Sequence, residues 1–151
     1  MISEHISYKE GVYSITATRQ GIDNTPNDEQ LACMELLAEK VFEPLRKFVG
    51  GPVKINSFFR SEKLNKVIGG SGKSQHCKGQ AVDIDDTFGV VANSDMYNYI
   101  KNNLDFDQLI WEFGDDDNPN WVHVSYVSSD DNRRRCLKAY KVQGKTKYMV
   151  I

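Results

Sequence analysis

The stretch SQHCKGQAVDID, residues 74–85, restricts the fold more than any other part of this sequence. Its second half alternates, because Val82 and Ile84 are apolar whereas Asp83 stands between them. In a β-strand, successive side chains point to opposite faces, so an apolar face turned towards a core leaves Asp83 on the other face. The sequence therefore predicts a strand whose second face carries a carboxylate instead of a second hydrophobic layer.

His76 stands seven positions before Asp83. A fully extended segment of that length spans roughly 23 Å, at about 3.3 Å per residue, which is too far for two side chains to share one ion. The two side chains can meet only if the chain folds back before the strand begins. Gly79 is the residue where it can do so, because glycine adopts backbone angles that residues with a side chain avoid.

A second stretch, WVHVSYV at residues 121–127, alternates in the same way and places His123 on the face opposite Val122 and Val124. If the valine faces of both strands pack into the core of one sheet, His123 lies beside Asp83 on the far face. His76, Asp83 and His123 then supply three protein ligands and leave one position for water. This arrangement is typical of catalytic rather than structural zinc.

Two further side chains have the chemistry that zinc-assisted hydrolysis requires. Glu112, in the apolar context LIWEF, can take a proton from water if its strand pairs so that Glu112 stands opposite His123. Arg60 follows the predicted strand VKINSFF and can hold a developing oxyanion. Taken separately, each residue fits a structural role better: Glu112 a strand-edge carboxylate and Arg60 a surface ion pair.

Length and charge limit the class of protein. A chain of 151 residues, of which 40% are hydrophobic, predicts a single domain over residues 1–151. Its net charge of -2 gives no electrostatic reason to expect nucleic acid as a partner. The N-terminus lacks the features of a signal peptide, and no run of about 18 apolar residues occurs, so we expect cytoplasmic synthesis without membrane insertion.

Helix and strand signals follow one another without regular alternation. Residues 25–51 predict a long amphipathic helix with a cap at Thr25 and a bend at Pro44, whereas residues 1–24 predict a loop with at most one helical turn. Short strands and helices follow, and the chain ends in a hairpin that turns at Gln143-Gly144. This order predicts an α+β fold: a mainly antiparallel central sheet of about four to six strands, with helices on one face and the zinc site on the other.

The motif SxHxxGxAxD occurs in this chain, carried by Ser74, His76, Gly79, Ala81 and Asp83. In this motif the chain resembles the zinc D-Ala-D-Ala carboxypeptidases and related phage endolysin peptidases, whose fold is shared with lysostaphin-type enzymes and hedgehog domains. The similarity extends over nearly the whole chain, including the segments INSFFRS, LNKVIGGSGKSQH, FDQLIWEF, WVHVSY and NRR.

The resemblance implies a zinc site formed by His76, Asp83 and His123. It also implies that Arg60 contacts the substrate or stabilises the tetrahedral intermediate. The substrate of this family is the peptide stem of peptidoglycan, which its members cut at D-Ala-D-Ala or at a bond nearer the sugar. A single zinc peptidase domain covering residues 1–151 is therefore the expectation.

We also expect Ser74, Gln75 and Trp121 to lie against the substrate, together with Arg60. One position departs from the family pattern. Many members carry their catalytic carboxylate three residues before the last histidine ligand, as ExxH, and Asn120 stands there in this chain. An amide cannot act as a base, so Glu112 in the paired strand is the expected replacement.

We therefore expect a zinc metallopeptidase that hydrolyses an amide bond of the peptidoglycan stem peptide, with D-Ala-D-Ala carboxypeptidase as the first hypothesis. The missing ExxH glutamate leaves open a non-catalytic cell-wall-binding or virion structural module of the same fold. A zinc dipeptidase acting on free D-Ala-D-Ala is a third reading. We expect a monomer that acts on the cell wall, after holin-type release if it is a phage enzyme. The sequence leaves the scissile bond open.

Overall fold

Six β-strands form one mixed sheet in the computed structural model, which describes residues 1–151. The strand order across the sheet is β1-β2-β4-β3-β5-β6. Neighbouring strands are antiparallel except for β3 and β5, which are parallel. The predicted α+β class with a mainly antiparallel sheet is confirmed. The strands are Lys54–Ser57 (β1), Ala81–Asp85 (β2), Gln108–Glu112 (β3), Trp121–Ser125 (β4), Arg135–Val142 (β5) and Lys145–Val150 (β6).

The helices are short, and none is long and apolar enough to cross a membrane. They are Tyr8–Val12 (α1), Ile15–Gln20 (α2), Asp28–Leu37 (α3), Glu43–Val49 (α4), Glu62–Val67 (α5) and Asn93–Asn103 (α6). The prediction of at most one helical turn over residues 1–24 is wrong, because α1 and α2 both lie there. Ser7 and Ser14 cap them, each accepting a hydrogen bond from a backbone N–H of the first turn.

The predicted long helix consists of three consecutive segments. Its start is Asn27 rather than Thr25, because Asn27 and Gln30 form a reciprocal capping box in which each side chain accepts a hydrogen bond from the other's backbone N–H. The middle segment, Ala38–Phe42, is a π-helix. It ends two residues before Pro44, which has no N–H to donate to the preceding turn. The bend predicted at this proline is therefore seen as a local widening of the helix.

The main hydrophobic core lies between the helices and one face of the sheet. Val82, Ile84, Val122 and Val124 of the central strands are at most 1% exposed and belong to this core. Helical residues of the same cluster include Met34, Leu37, Val41, Leu45, Met96, Tyr97 and Ile100. The valine faces therefore point into the core as predicted, and the opposite face of the same strands carries the polar residues described next.

Candidate active site

Two neighbouring strands bring Asp83 and His123 together. Strands β2 and β4 pair with Asp83 directly opposite His123. Nδ1 of His123 lies 2.9 Å from Oδ1 of Asp83, and Nε2 of His76 lies 3.3 Å from Oδ2 of the same carboxylate. One ligand atom from each of these residues lies within 4.8 Å of the others. The structure thus places next to one another the three side chains that the sequence predicts as metal ligands.

His76 reaches this position from a short 3-10 helix, Gln75–Lys78. The Ser74 side chain caps the helix by accepting a hydrogen bond from the His76 N–H, and Gly79 ends it in the left-handed region with φ 73°. A Cβ at Gly79 would lie 2.3 Å from the backbone oxygen of Gln30 in α3, so a side chain does not fit there. Gly79 therefore provides the reversal that the sequence predicts.

The hydrogen bonding of His76 leaves one ring nitrogen available for a ligand. Its Nδ1 lies 2.7 Å from the backbone carbonyl oxygen of Phe58, so Nδ1 carries the proton and donates a hydrogen bond to that oxygen. Nε2 is then unprotonated; it is buried and has no hydrogen-bond partner in the protein. An unprotonated nitrogen and an Asp83 oxygen 3.3 Å apart both present lone pairs, which a shared cation satisfies. Two imidazoles and one carboxylate form a donor set that fits zinc.

The surroundings hold these groups in the protonation states that ligands need. Burial lowers the pKa of His76, outweighing the opposite effect of Asp83, and so favours the neutral imidazole. Burial by itself raises the pKa of Asp83, but its interactions with His76 and His123 hold that pKa well below the ordinary value. Neutral histidine and ionised aspartate are the forms that bind metal ions.

Glu112 lies on the same face of the sheet as His123, but not at the predicted partner position. Glu112 stands opposite Trp121, and Ile110 stands opposite His123. The loop between the two strands is closed by a hydrogen bond from the Asn120 N–H to the Glu112 carbonyl, and this contact fixes the register. The observed partner, Trp121, is two residues from the predicted one, His123. Residues two apart on a strand share a face, so Glu112 still lies on the face of the metal-ligand cluster.

The carboxyl group of Glu112 has the protonation equilibrium of a proton-transfer group. The residue is 8% exposed. Burial raises the pKa of Glu112 to about 7, with a lowering effect from His123 and a smaller raising effect from Asp83. Both protonation states are therefore populated near neutral pH, which is the condition for accepting a proton and releasing it again.

Arg60 lies between β1 and α5, and its backbone is hydrogen-bonded to the segment that carries His76. Its backbone N–H donates to the His76 carbonyl oxygen at 3.2 Å, and its Nη1 donates to Oδ1 of Asn65 at 3.3 Å. Its Nε is buried and has no partner. Burial lowers the pKa of Arg60 and the charge of Asp83 raises it. A guanidinium with an unused donor beside this cluster can bind an oxygen atom of a ligand.

The other predicted substrate contacts line one cleft of about 700 Å³ together with the residues above. Ser74 lies at its edge, where its hydroxyl already serves as a helix cap. Nε2 of Gln75 donates to Oδ2 of the buried Asp107 at 2.9 Å, which fixes the direction of that side chain. Trp121 packs against Phe113 with ring centroids 5.5 Å apart and forms an aromatic wall.

Arg133, Lys141 and Tyr148 line the cleft and were not predicted from the sequence, and neither was Asp107, which lies behind the cleft and binds Arg133. Asp107, only 1% exposed, accepts hydrogen bonds from Gln75 and from both Nε and Nη2 of Arg133, which it holds at the cleft edge. Lys141 and Tyr148 reach the cleft from the C-terminal hairpin. These residues were missed for two reasons. A single charged or aromatic residue forms no recognisable motif, and the parallel pairing of β3 with β5 joins segments that no local sequence pattern connects. The RR pair of the NRR segment was the one signal available for Arg133.

The remaining histidine, His5, lies outside this cleft. Its Nδ1 is 2.5 Å from Oε1 of Glu43, and Glu4 is close to both. Glu43 also accepts a 2.6 Å hydrogen bond from the Ser3 hydroxyl. Hydrogen bonds of the Glu43 carboxylate to His5 and Ser3 account for this cluster without a metal ion.

A sheet face that carries two imidazoles, a carboxylate and a separate buried carboxyl group is typical of metal-dependent hydrolases. A family model described as Peptidase M15 matches residues 4–125. The chain therefore belongs to the M15 peptidases, which are zinc-dependent metallopeptidases. None of the curated proteins matches the chain. The matched range includes β1 to β4 and ends before β5 and β6.

Proposed function

We propose that this protein hydrolyses an amide bond in the stem peptide of peptidoglycan, as a zinc-dependent D-Ala-D-Ala carboxypeptidase. The observation that carries the proposal is the combination, on one sheet face, of three ligand-competent side chains and a buried carboxyl group whose pKa is about 7. Membership of the M15 family supports zinc-dependent peptide hydrolysis. The resemblance of the SxHxxGxAxD segment to carboxypeptidases of the cell wall supports this substrate.

Each side chain has one role in the proposed reaction. His76, Asp83 and His123 hold the zinc ion, which when bound supplies a Lewis acid that activates water and polarises a carbonyl group. Glu112 takes the proton of the attacking water and passes it to the nitrogen of the leaving amine, a task for which a pKa of about 7 is suited. Arg60 donates hydrogen bonds to an oxygen of the bound peptide.

The charges around the cleft favour an anionic peptide as substrate. Arg60, Lys73, Arg133 and Lys141 line the cleft, and of these Arg133 is paired with Asp107. The carboxyl groups of Asp83 and Glu112 in the cleft offset part of the remaining charge, and an excess of positive charge is left at the rim. A stem peptide carries free carboxylates, including that of its terminal D-alanine, and these are complementary to such a rim.

Product analysis tests the proposal. The zinc-loaded protein is incubated with muropeptides that carry pentapeptide stems, and the products are read by mass spectrometry. We expect the loss of one alanine from each stem, abolished by a chelator and by His123→Ala. Intact stems with every wall chemistry tried would refute the proposal. Faster cleavage of free D-Ala-D-Ala than of stems would instead assign the protein as a dipeptidase.

One observation favours a second candidate, a wall-binding module without catalysis. Asn120 occupies the position of the ExxH glutamate and is exposed, so no carboxylate is present there. This candidate predicts that stem peptides bind stoichiometrically and are recovered unchanged, including at elevated zinc concentration. Calorimetric binding followed by mass spectrometry of the same sample separates it from the peptidase.

A further inference from the structure

The C-terminal hairpin lies outside the range matched by the M15 model, yet it forms one wall of the cleft. Lys141 of β5 and Thr146 and Tyr148 of β6 line that wall. β6 is the edge strand of the sheet, and all its residues are exposed. Tyr148 is 56% exposed, so packing in a hydrophobic core does not explain an aromatic residue at this position.

The sheet register places Tyr148 on the same face of the sheet as Glu112. Glu112 pairs with Ala139 of β5, and Ala139 pairs with Tyr148 of β6, so the three residues form one row on the face of the cleft. Two strand spacings put the backbones of Glu112 and Tyr148 about 10 Å apart. The residue between them is an alanine, whose short side chain leaves room for the phenol ring to extend over it towards the carboxyl group.

The electrostatics of the hydroxyl agree with this direction. Burial raises the pKa of Tyr148, and the charges of Glu112 and Asp83 raise it further. Both carboxylates therefore act on the hydroxyl, although they lie on strands β3 and β2 and the tyrosine on the edge strand. The hydroxyl keeps its proton at neutral pH and remains a hydrogen-bond donor.

We propose that Tyr148 is a further catalytic residue, whose hydroxyl donates a hydrogen bond to the oxygen of the scissile carbonyl. This role rests on the proposed peptidase function. Arg60 and Tyr148 both line the cleft, Arg60 on the β1 side of the sheet and Tyr148 on the β6 side, so the two donors face a bound peptide from opposite sides. The tyrosine keeps its proton throughout. Its hydrogen bond strengthens as negative charge develops on the oxygen, which is the way a donor accelerates amide hydrolysis.

Tyr148→Phe removes only the hydroxyl, and Tyr140→Phe is the matched control. Tyr140 belongs to the same hairpin but pairs with Lys147 on the opposite face, and it is 38% exposed. With pentapeptide stems as substrate, we expect Tyr148→Phe to lower kcat by about 100-fold, with a change in KM of less than about threefold. Its zinc stoichiometry should equal that of the unmodified protein, and Tyr140→Phe should leave all these quantities unchanged.

A second readout does not depend on turnover. A phosphinic analogue of D-Ala-D-Ala mimics the tetrahedral geometry, and Tyr148→Phe should weaken its binding by the same factor as kcat/KM. Full activity of Tyr148→Phe, in a protein that cleaves stems, overturns the role of the tyrosine and leaves the peptidase function standing. Equal losses in Tyr148→Phe and Tyr140→Phe overturn it as well, since they indicate a general effect on the hairpin. If the unmodified protein cleaves no peptide, the peptidase function fails and this role fails with it.

Discussion

The burial of Glu112 has a consequence for stability that can be measured in the metal-free protein. Its pKa is raised from an ordinary value of 4.5 to about 7, mainly by burial. Between these two pH values the unfolded chain releases the proton and the folded protein retains it, so folding becomes less favourable as the pH rises. At 1.36 kcal/mol per pKa unit, the free energy of unfolding should fall by about 3 kcal/mol. The stabilisation that protonated Glu112 provides is fully present below pH 4.5 and is lost once the pH has risen through about 7.

Glu112→Gln removes this titration, because an amide has no proton to lose in this range. Urea unfolding of both proteins at several pH values from 4 to 9, in the presence of a chelator, gives the difference in unfolding free energy. We expect the variant to gain about 3 kcal/mol relative to the unmodified protein across that range, with most of the change between pH 4.5 and about 7. A difference that stays constant with pH would refute the assignment of a raised pKa to Glu112.

Two further variants test how the site is built. His76→Ala should lower zinc affinity by more than about 100-fold, since residues that only hydrogen-bond to metal ligands already contribute about 10–100-fold. His5→Ala is the control and should bind zinc normally. Equal zinc affinities of the two variants in a competition titration would exclude His76 as a ligand. Gly79→Ala should lower the free energy of unfolding by at least about 1–2 kcal/mol. The backbone at position 79 has a φ of 73°, and the Cβ of an alanine there would overlap the Gln30 backbone. Unchanged urea unfolding would contradict this prediction.

The alternation of apolar and polar residues was sufficient to predict the shared face of the cluster. Asp83 and His123 each interrupt a run of buried valine or isoleucine, and a period of two leaves no other face for them. Gly79 was identifiable because the extended segment from His76 to Asp83 is too long for the two proposed ligands to meet unless the chain reverses. These predictions depend on local geometry, which the sequence carries directly.

Features that depend on pairing between distant segments were not predictable in the same way. Glu112 stands opposite Trp121 because a long loop, closed at Asn120, sets the register, and such a loop has no two-residue turn signature. Tyr148 belongs to the cleft only because β5 pairs in parallel with β3, which no alternation pattern indicates. The helices before residue 25 were missed because each is barely longer than one turn and depends on a single serine cap.

The role of Glu112 is tested most directly by the turnover number of Glu112→Gln at full zinc occupancy. The variant retains the three proposed ligands, so zinc stoichiometry should be unchanged. A general base contributes about 10²–10⁴-fold to a rate, and kcat for stem cleavage should fall by a factor in this range. Undiminished kcat at equal zinc content would exclude Glu112 as the general base, because the buried carboxyl group would then have no part in the reaction.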